Sequence, residues 1–237
     1  MSKHALETKL NALQGSVIAF DLDGTLVDTA PDLIGALNVV LGEEGLPPAP
    51  VAAARHLVGR GARYLIEHGF AEAGRTLDAE RAPGLVERFI AVYLDRIAEE
   101  SAPFEGVEAA LDALSAAGAT LAVCTNKRTD LSTALLDALG LSGRFETIFG
   151  ADLAGVQKPD PKPLLMSIER AGGRPERALF VGDSMIDVNT ARAARVPIVG
   201  VSFGFSDTPL RAEDLDALID RFDELPAVVA RLLGPAG

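Results

Sequence analysis

The sequence is poor in cysteine and in basic residues, and each shortage excludes a class of protein. One cysteine, Cys124, among 237 residues cannot form an internal disulfide, unlike the cross-linked small domains of secreted proteins. The 22 basic residues against 34 acidic ones leave a net charge of -12, the wrong sign for a protein that binds nucleic acid by neutralising phosphates. We therefore expect no nucleic-acid partner.

The chain also lacks long hydrophobic runs. No stretch reaches the roughly 18 apolar residues that a membrane-spanning helix needs, and residues 1–15 have no apolar core of the kind found in signal peptides. These features predict a cytoplasmic protein with no membrane partner. With 48% hydrophobic residues over 237 positions, the composition is typical of a globular protein with one large domain, or a core with a smaller insert.

Short apolar runs alternate with amphipathic helical patterns through most of the sequence. Buried strands are predicted at 16–20, 120–124, 147–150, 178–182 and 196–201, and helices at 107–117, 130–139, 163–171 and 187–194. This alternation predicts an α/β fold with a Rossmann-like parallel sheet, helices on both faces, and a ligand crevice at the carboxyl ends of the strands.

Between residues 29 and 101 the alternation stops. Two apolar stripes at helical spacing run through this segment without a strand pattern: Leu33, Leu37 and Val40, then Leu85, Phe89, Tyr93 and Ile97. We predict that residues 29–101, called the insert below, form a helical domain placed after the first strand. Residues 1–28 and 102–237 are then expected to form the α/β core.

Two pairs of carboxylates stand at predicted strand ends. Strand alternation places Asp21 and Asp23 on one side, where such close carboxylates repel each other unless a cation lies nearby. Asp183 and Asp187 stand four residues apart at a helix start, so both can lie on one face. Each pair alone could be turn residues or helix-dipole partners. Together they make a four-acid cluster of the kind that suits Mg²⁺.

Polar or charged groups also follow other predicted strands. Thr125 and Asn126 could bind an anion through the hydroxyl and free N–H groups, although Thr125 could equally cap the next helix. Lys158 is one of only five lysines and lies in a proline-stiffened loop that restricts its backbone, although a surface lysine in a turn is the commoner case. Cys124 lies within a predicted strand and is expected to belong to the core.

The order of these motifs resembles that of the haloacid dehalogenase superfamily. Its four sequence motifs are matched by Asp21-Leu22-Asp23-Gly24-Thr25, by Thr125, by Lys158, and by Gly182-Asp183 with Asp187. The resemblance covers essentially the whole chain. It implies that the insert is the α-helical cap domain of this superfamily and that the rest of the chain is its catalytic core.

Four further stretches are similar to the phosphoglycolate phosphatase branch of this superfamily: Val58-Gly59-Arg60-Gly61-Ala62, Thr125-Asn126-Lys127, Lys158-Pro159-Asp160-Pro161 and Val201-Ser202-Phe203-Gly204. Neighbouring phosphatases share much of this pattern. The similarity implies that the substrate is a small phosphorylated metabolite.

The resemblance also implies roles for the acids. Asp21 would be the nucleophile that takes the phosphoryl group, and Asp23 would protonate the leaving oxygen and then activate water. Mg²⁺ would be held by Asp21, Asp183 and the backbone carbonyl of Asp23. Asp187 would orient the metal-bound waters from outside the ligand set.

The remaining candidates would hold the substrate. Thr125, with Asn126, would bind phosphoryl oxygens, and Lys158 would neutralise charge on the phosphate and the nucleophile. In the insert, the turn Gly59-Arg60-Gly61 could bind a carboxylate such as that of glycolate through its N–H groups and the arginine. A tight turn between two helices explains these three residues equally well.

Within the superfamily, hydrolysis of a phosphomonoester is the favoured chemistry. Asp23 supplies the acid that dehalogenases lack, no lysine lies between Lys9 and Lys127 for a phosphonatase Schiff base, and Leu33 replaces the hinge histidine typical of phosphoglucomutases. The favoured substrate is 2-phosphoglycolate, with sugar phosphates, N-acetylmuramate 6-phosphate and pyrophosphate as alternatives. A catalytically idle binding protein is the alternative outside enzymes. We expect a monomer or a homodimer.

Overall fold

The computed structural model describes residues 13–206 and 208–234, so the start of the predicted core, 1–12, lies outside the described residues. Its helices and strands are β1 (Val17–Phe20), β2 (Val27–Asp28), α1 (Ala30–Glu43), α2 (Val51–Ala54), α3 (Ala62–Glu72), α4 (Ala82–Asp95), β3 (Ala102–Pro103), α5 (Val107–Ala116), β4 (Thr120–Cys124), α6 (Thr129–Ala138), β5 (Thr147–Phe149), α7 (Lys162–Arg170), β6 (Ala178–Gly182), α8 (Met185–Ala194), β7 (Ile198–Val201), β8 (Ala217–Ile219) and α9 (Leu225–Leu233). Short 3₁₀ turns join several of them.

Six strands form one parallel sheet in the order β5-β4-β1-β6-β7-β8. All four residues of β1 are buried, as expected for an apolar strand covered by helices on both faces. Hydrophobic clusters pack on both sides of the sheet. The structure confirms the predicted α/β fold with a Rossmann-like parallel sheet.

The register of the central strands positions the site. Phe20 at the end of β1 pairs with Val123 of β4 on one side and with Val181 of β6 on the other. The three strands therefore end at nearly the same level, and the residues that follow them meet at one edge of the sheet. Asp21, Thr125 and Asp183 are the first polar side chains after these three strands.

Most predicted boundaries in the sheet region agree with the structure to within two residues. The strand predicted at 196–201 begins at Ile198, after Pro197, which has no N–H to donate to the ladder. The strand β8 and the helix α9 were not predicted from the sequence. The strand β8 is only three residues long and lies at the sheet edge, where a short partly exposed run has little strand pattern.

The insert leaves and rejoins the sheet region through neighbouring stretches. The strands β2 and β3 form an antiparallel pair, with Val27 opposite Pro103 and Asp28 opposite Ala102. Close to this ribbon, the buried carboxylate of Asp32 accepts hydrogen bonds from the N–H and the hydroxyl of Ser101, at 2.8 and 2.7 Å. These bonds fix the end of the insert against its beginning.

The insert has a hydrophobic cluster of its own, built from α1, α3, α4 and the turns between them. Among the described residues, two buried members of this cluster lie outside residues 29–101, namely Leu131 of α6 and Phe205 after β7. Leu131 lies in the helix that follows β4, and Phe205 lies in the loop that follows β7. The helices of the insert thus pack over the carboxyl edge, where the candidate site residues lie.

Across residues 13–206 and 208–234, the structure contains no helix that combines the length and the apolar character required to cross a bilayer.

Candidate active site

Three buried carboxylates meet at the carboxyl edge of the sheet. Asp21 follows β1, Asp183 follows the neighbouring strand β6, and Asp187 lies in the first turn of α8. One oxygen from each lies within 4.8 Å of the others. Because carboxylate oxygens suit hard divalent cations, this donor set fits a divalent metal ion.

Local hydrogen bonds hold Asp183 and Asp187 in different ways. Asp187 accepts bonds from the N–H and the hydroxyl of Ser184, at 3.1 and 2.7 Å, in a capping box that begins α8. Asp183 accepts the N–H of Phe205 at 2.7 Å. The two acids lie together, as their spacing allowed, but Asp183 precedes α8, which begins at Met185, so they do not share a helix face. The cap turn brings them together instead.

Gly24 allows the loop after β1 to approach Asp183. Its φ is +83°, and a Cβ at this position would lie 2.5 Å from an Asp183 oxygen. A side chain would therefore both strain the backbone and collide with the carboxylate. This contact explains why a glycine follows the two acids of the loop.

Lys158 is the cation of the cluster. Its Nζ lies 2.8 Å from Asp21 Oδ1 and 2.7 Å from Asp187 Oδ1, and its side chain is 2% exposed. The alternative of a surface lysine is therefore wrong. The loop that carries it is held by Asn126, whose side chain accepts the N–H of Lys158 at 2.9 Å and donates to its carbonyl at 3.1 Å.

The electrostatics of the cluster leave an excess of negative charge. Burial raises the pKa of Asp21 from 3.8 to about 6 against the opposing effect of Lys158. Burial, reinforced by Asp187 and Asp21, also raises the pKa of Asp183 well above its usual value. For Lys158, burial alone would lower the pKa, but Asp187 and Asp21 outweigh it and raise the pKa. One ammonium does not balance three carboxylates, and a divalent cation would complete the balance.

Asp23 does not join the three-carboxylate group and contacts a second buried lysine. The Nζ of Lys127 lies 3.0 Å from Asp23 Oδ1 and 3.3 Å from Oδ2. Burial would lower the pKa of Lys127, but Asp23 and Tyr93 together outweigh it and raise the pKa. Lys127 was not predicted as a site residue and entered the sequence comparison only within the stretch Thr125-Asn126-Lys127. The available signal was a rare lysine directly after the polar pair that follows β4.

Cys124 is the last residue of β4 and Thr125 follows it, and the two side chains have different surroundings. The hydroxyl of Thr125, which is buried, accepts the N–H of Lys127 at 3.2 Å, while α6 begins only at Thr129, so Thr125 does not cap that helix. Cys124 is fully buried and burial raises its pKa to about 12, which confirms its prediction as a core residue.

The acids and the insert face a common cavity of about 180 Å³, lined by Asp21, Asp23, Thr125, Lys158, Asp183, Gly59 and Arg60. A second cavity of about 380 Å³ shares Asp23 and Arg60 and extends between the insert and α6. Gly59 and Gly61 both have positive φ, 90 and 91°, and Gly61 is the cap residue directly before α3. The Arg60 guanidinium donates to the Tyr64 hydroxyl at 2.8 Å. Contact between this turn and a leaving group stays a prediction, as does a substrate contact of Asn126.

Comparison with known proteins agrees with this geometry. Residues 18–201 match the model of the family described as haloacid dehalogenase-like hydrolase. The chain is 55% identical over 224 residues to a phosphoglycolate phosphatase of Caulobacter vibrioides, covering 94% of each chain. It is 44% identical over 222 residues to one of Mesorhizobium japonicum, covering 93% of this chain and 98% of the relative. The crystal structure of a predicted phosphoglycolate phosphatase from Haemophilus somnus, at 30% identity, has a TM-score of 0.84 and covers 91% of this chain and 98% of the other. The chain belongs to the haloacid dehalogenase-like hydrolase family.

Proposed function

We propose that this protein is a Mg²⁺-dependent phosphatase that hydrolyses 2-phosphoglycolate to glycolate and phosphate. The observation that carries the proposal is the buried contact of Lys158 with Asp21 beside Asp183, at the aligned ends of neighbouring strands. Such a site offers a carboxylate nucleophile, a fixed cation and metal ligands within reach of one phosphoryl group. The substrate is taken from the relatives, which carry the name phosphoglycolate phosphatase.

The reaction would proceed in two displacements at phosphorus. An oxygen of Asp21 attacks, the bond between phosphorus and the leaving oxygen breaks, and Asp23 donates a proton to that oxygen, which releases glycolate. Asp23 then takes a proton from water, whose oxygen attacks the aspartyl-phosphate and releases phosphate. At the end Asp21 is again a carboxylate and Asp23 is again the protonated carboxyl with which the cycle begins. Phosphate monoesters are among the slowest substrates that enzymes accelerate, so positioned positive charge must supply much of the effect.

The chain's own residues would hold the phosphoryl group and the metal. Lys158 neutralises charge on Asp21 and on the phosphoryl oxygens, and Thr125 lines the same cavity. The metal ligands would be Asp21, Asp183 and the backbone carbonyl of Asp23. When bound, Mg²⁺ neutralises phosphoryl charge and lowers the barrier to attack by an anion. Asp187, already bonded to Lys158 and Ser184, has a positioning role.

We further propose that residues 29–101 act as a cap domain over a core formed by residues 1–28 and 102–237. Two features support this division: the separate hydrophobic cluster of the insert and the paired β2–β3 ribbon where it begins and ends. A cap in this place would exclude water from the phosphoryl group and contact the leaving group.

Adding Mg²⁺ to the metal-free protein is expected to raise its stability against unfolding more at pH 7 than at pH 5. Because folding raises the pKa of Asp21 from 3.8 to about 6, the folded metal-free protein binds more protons than the unfolded chain between these values. Its stability is therefore favoured at low pH and falls as the pH rises through about 6. A bound cation removes this penalty, and at 100 times its Kd adds about 2.7 kcal/mol.

Thermal unfolding with EDTA or with Mg²⁺, at both pH values, measures this effect. Asp183→Asn is the matched variant, since it removes a proposed ligand and one charge from the cluster. Equal Mg²⁺ shifts at both pH values, or an undiminished shift in Asp183→Asn, would contradict the proposed metal site.

A kinetic panel tests the substrate. We expect kcat/KM with 2-phosphoglycolate to exceed that with sugar phosphates, N-acetylmuramate 6-phosphate and pyrophosphate. If Arg60 binds the carboxylate, Arg60→Ala should reduce this preference by about 10-fold or more, as expected for a charge-assisted contact. The matched control is Arg63→Ala, because Arg63 is exposed and pairs with Glu67 at 2.7 Å.

The same panel separates the alternatives. A higher kcat/KM for a sugar phosphate would identify a related phosphatase with another substrate. Unchanged selectivity in Arg60→Ala would remove that arginine from substrate recognition. No phosphate release from any of these compounds or from p-nitrophenyl phosphate, with Mg²⁺ present, would favour the idle binding protein.

A further inference from the structure

Lys127 is a buried cation that the proposed reaction does not use. Its side chain is 5% exposed and its Nζ contacts both oxygens of Asp23, the proposed acid. A buried ammonium is costly unless it is paired, so its position depends on the groups that surround it. The position of the Asp23 carboxylate in turn depends on Lys127.

The second partner of Lys127 comes from the insert. Its Nζ lies 4.5 Å from the centroid of the Tyr93 ring. Tyr93 belongs to α4, is fully buried, and stacks on Phe89 of the same helix with 6.4 Å between ring centroids. A cation over an aromatic face is attracted by the ring quadrupole, most strongly where water is excluded. Tyr93 therefore contributes to holding Lys127 in place.

These contacts form one continuous path from the insert to the site: the Tyr93 ring, the Lys127 ammonium and the Asp23 carboxylate. Lys127 has a flexible four-carbon stem. Two partners, Asp23 after β1 and Tyr93 in α4, therefore restrict its position far more than one partner would. All three residues line the cavity of about 380 Å³ between the insert and α6. The path lies where a leaving group next to Asp23 would be accommodated.

We propose that Tyr93 is a positioning residue that acts through Lys127 to aim the Asp23 carboxyl group at the leaving oxygen. This inference rests on the proposed function, in which Asp23 protonates that oxygen. The position of α4 is thereby coupled to the acid step, because the ammonium that holds Asp23 is itself held by a ring of the insert. Attack by Asp21 does not use this path, since Lys158 serves that carboxylate.

The test compares leaving groups that differ in their need for a proton. Glycolate requires one, whereas p-nitrophenolate departs readily without it. With enzyme in excess and Mg²⁺ present, Tyr93→Leu is expected to slow glycolate release from 2-phosphoglycolate by about 10-fold or more, within the range for general acid catalysis. The release of p-nitrophenolate from p-nitrophenyl phosphate should change by less than about 3-fold. Tyr93→Phe, which keeps the ring, should resemble the wild type in both.

Two controls distinguish positioning from general damage to the insert. Phe70→Leu removes a buried ring from the same hydrophobic cluster, but its cation contact is with Arg75, so it should not produce the selective loss. Lys127→Met should reproduce the selective loss, and combining it with Tyr93→Leu should add little, because both changes interrupt one path. If Tyr93→Leu does not fold, Lys127→Met carries the same comparison with the packing of the insert intact.

Several results would overturn the proposal. These are an equal slowing of both substrates in Tyr93→Leu or Lys127→Met, no slowing of either, additive losses in the double variant, or the same selective loss in Phe70→Leu. Failure of the proposed function is a separate outcome, since the wild type would then release no glycolate. In that case ethyl phosphate, if hydrolysed, replaces 2-phosphoglycolate as the substrate with a poor leaving group.

Discussion

Asp21→Asn is expected to reduce turnover by about 10⁴-fold or more, because an amide oxygen cannot replace the carboxylate that attacks phosphorus. The fold should survive. The substitution removes one negative charge from a buried cluster in which three carboxylates face one ammonium, and Lys158 keeps Asp187 as a partner. We therefore expect the melting temperature of the metal-free variant to equal or exceed that of the wild type at pH 7.

The measurement pairs phosphate release with thermal unfolding on the same preparation. Intact mass must show that the asparagine has not deamidated, since a small fraction of restored aspartate would imitate residual activity. Activity within about 100-fold of the wild type, from protein of correct mass, would assign the nucleophile elsewhere. A large drop in melting temperature would show that Asp21 is needed mainly for folding.

Lys158→Met is expected to have the largest combined effect on activity and stability. It leaves Asp21 and Asp187 buried without their cation, and breaking a buried ion pair from one side typically costs about 3–5 kcal/mol. Activity should fall by about 10³-fold or more, because a fixed charge beside the transferred phosphoryl group is lost. The loss of stability should be smaller at pH 5 than at pH 7, since protonated carboxyls no longer need the ammonium.

Urea unfolding at both pH values, with EDTA present, isolates this contribution from that of the metal. Lys162→Met is the matched control, because Lys162 is an exposed lysine four residues further on whose Nζ donates to the Ala154 carbonyl. If Lys158→Met loses no more stability than Lys162→Met, the ion pairs described here do not stabilise the fold. A greater loss at pH 5 than at pH 7 would contradict the electrostatic explanation.

The sequence was sufficient to predict the parts of the site that follow from strand ends. Asp21 and Asp183 could be placed together because each directly follows an apolar run, and parallel strands that alternate with helices end at one edge. Resemblance to a family then supplied the roles of Lys158 and Asp23. The sheet itself was predictable except for β8, whose three residues carry too little pattern.

Contacts between distant segments were not predictable in the same way. Lys127 meets Asp23 across 104 positions and Tyr93 across the boundary of the insert, and neither periodicity nor motif spacing encodes such a meeting. The buried Asp32, which binds Ser101 across 69 positions, is a similar case. Polar groups of this kind are found only once packing determines which of them are excluded from water.

The β2–β3 ribbon has a consequence for how this protein could change. Because residues 27–28 and 102–103 are paired neighbours, the insert begins and ends at the same place beside the sheet. A segment of another length could replace the insert without altering the order of the six parallel strands. Preference for one ester over another could thus diverge in descendants while the phosphate-cleaving apparatus was inherited unaltered.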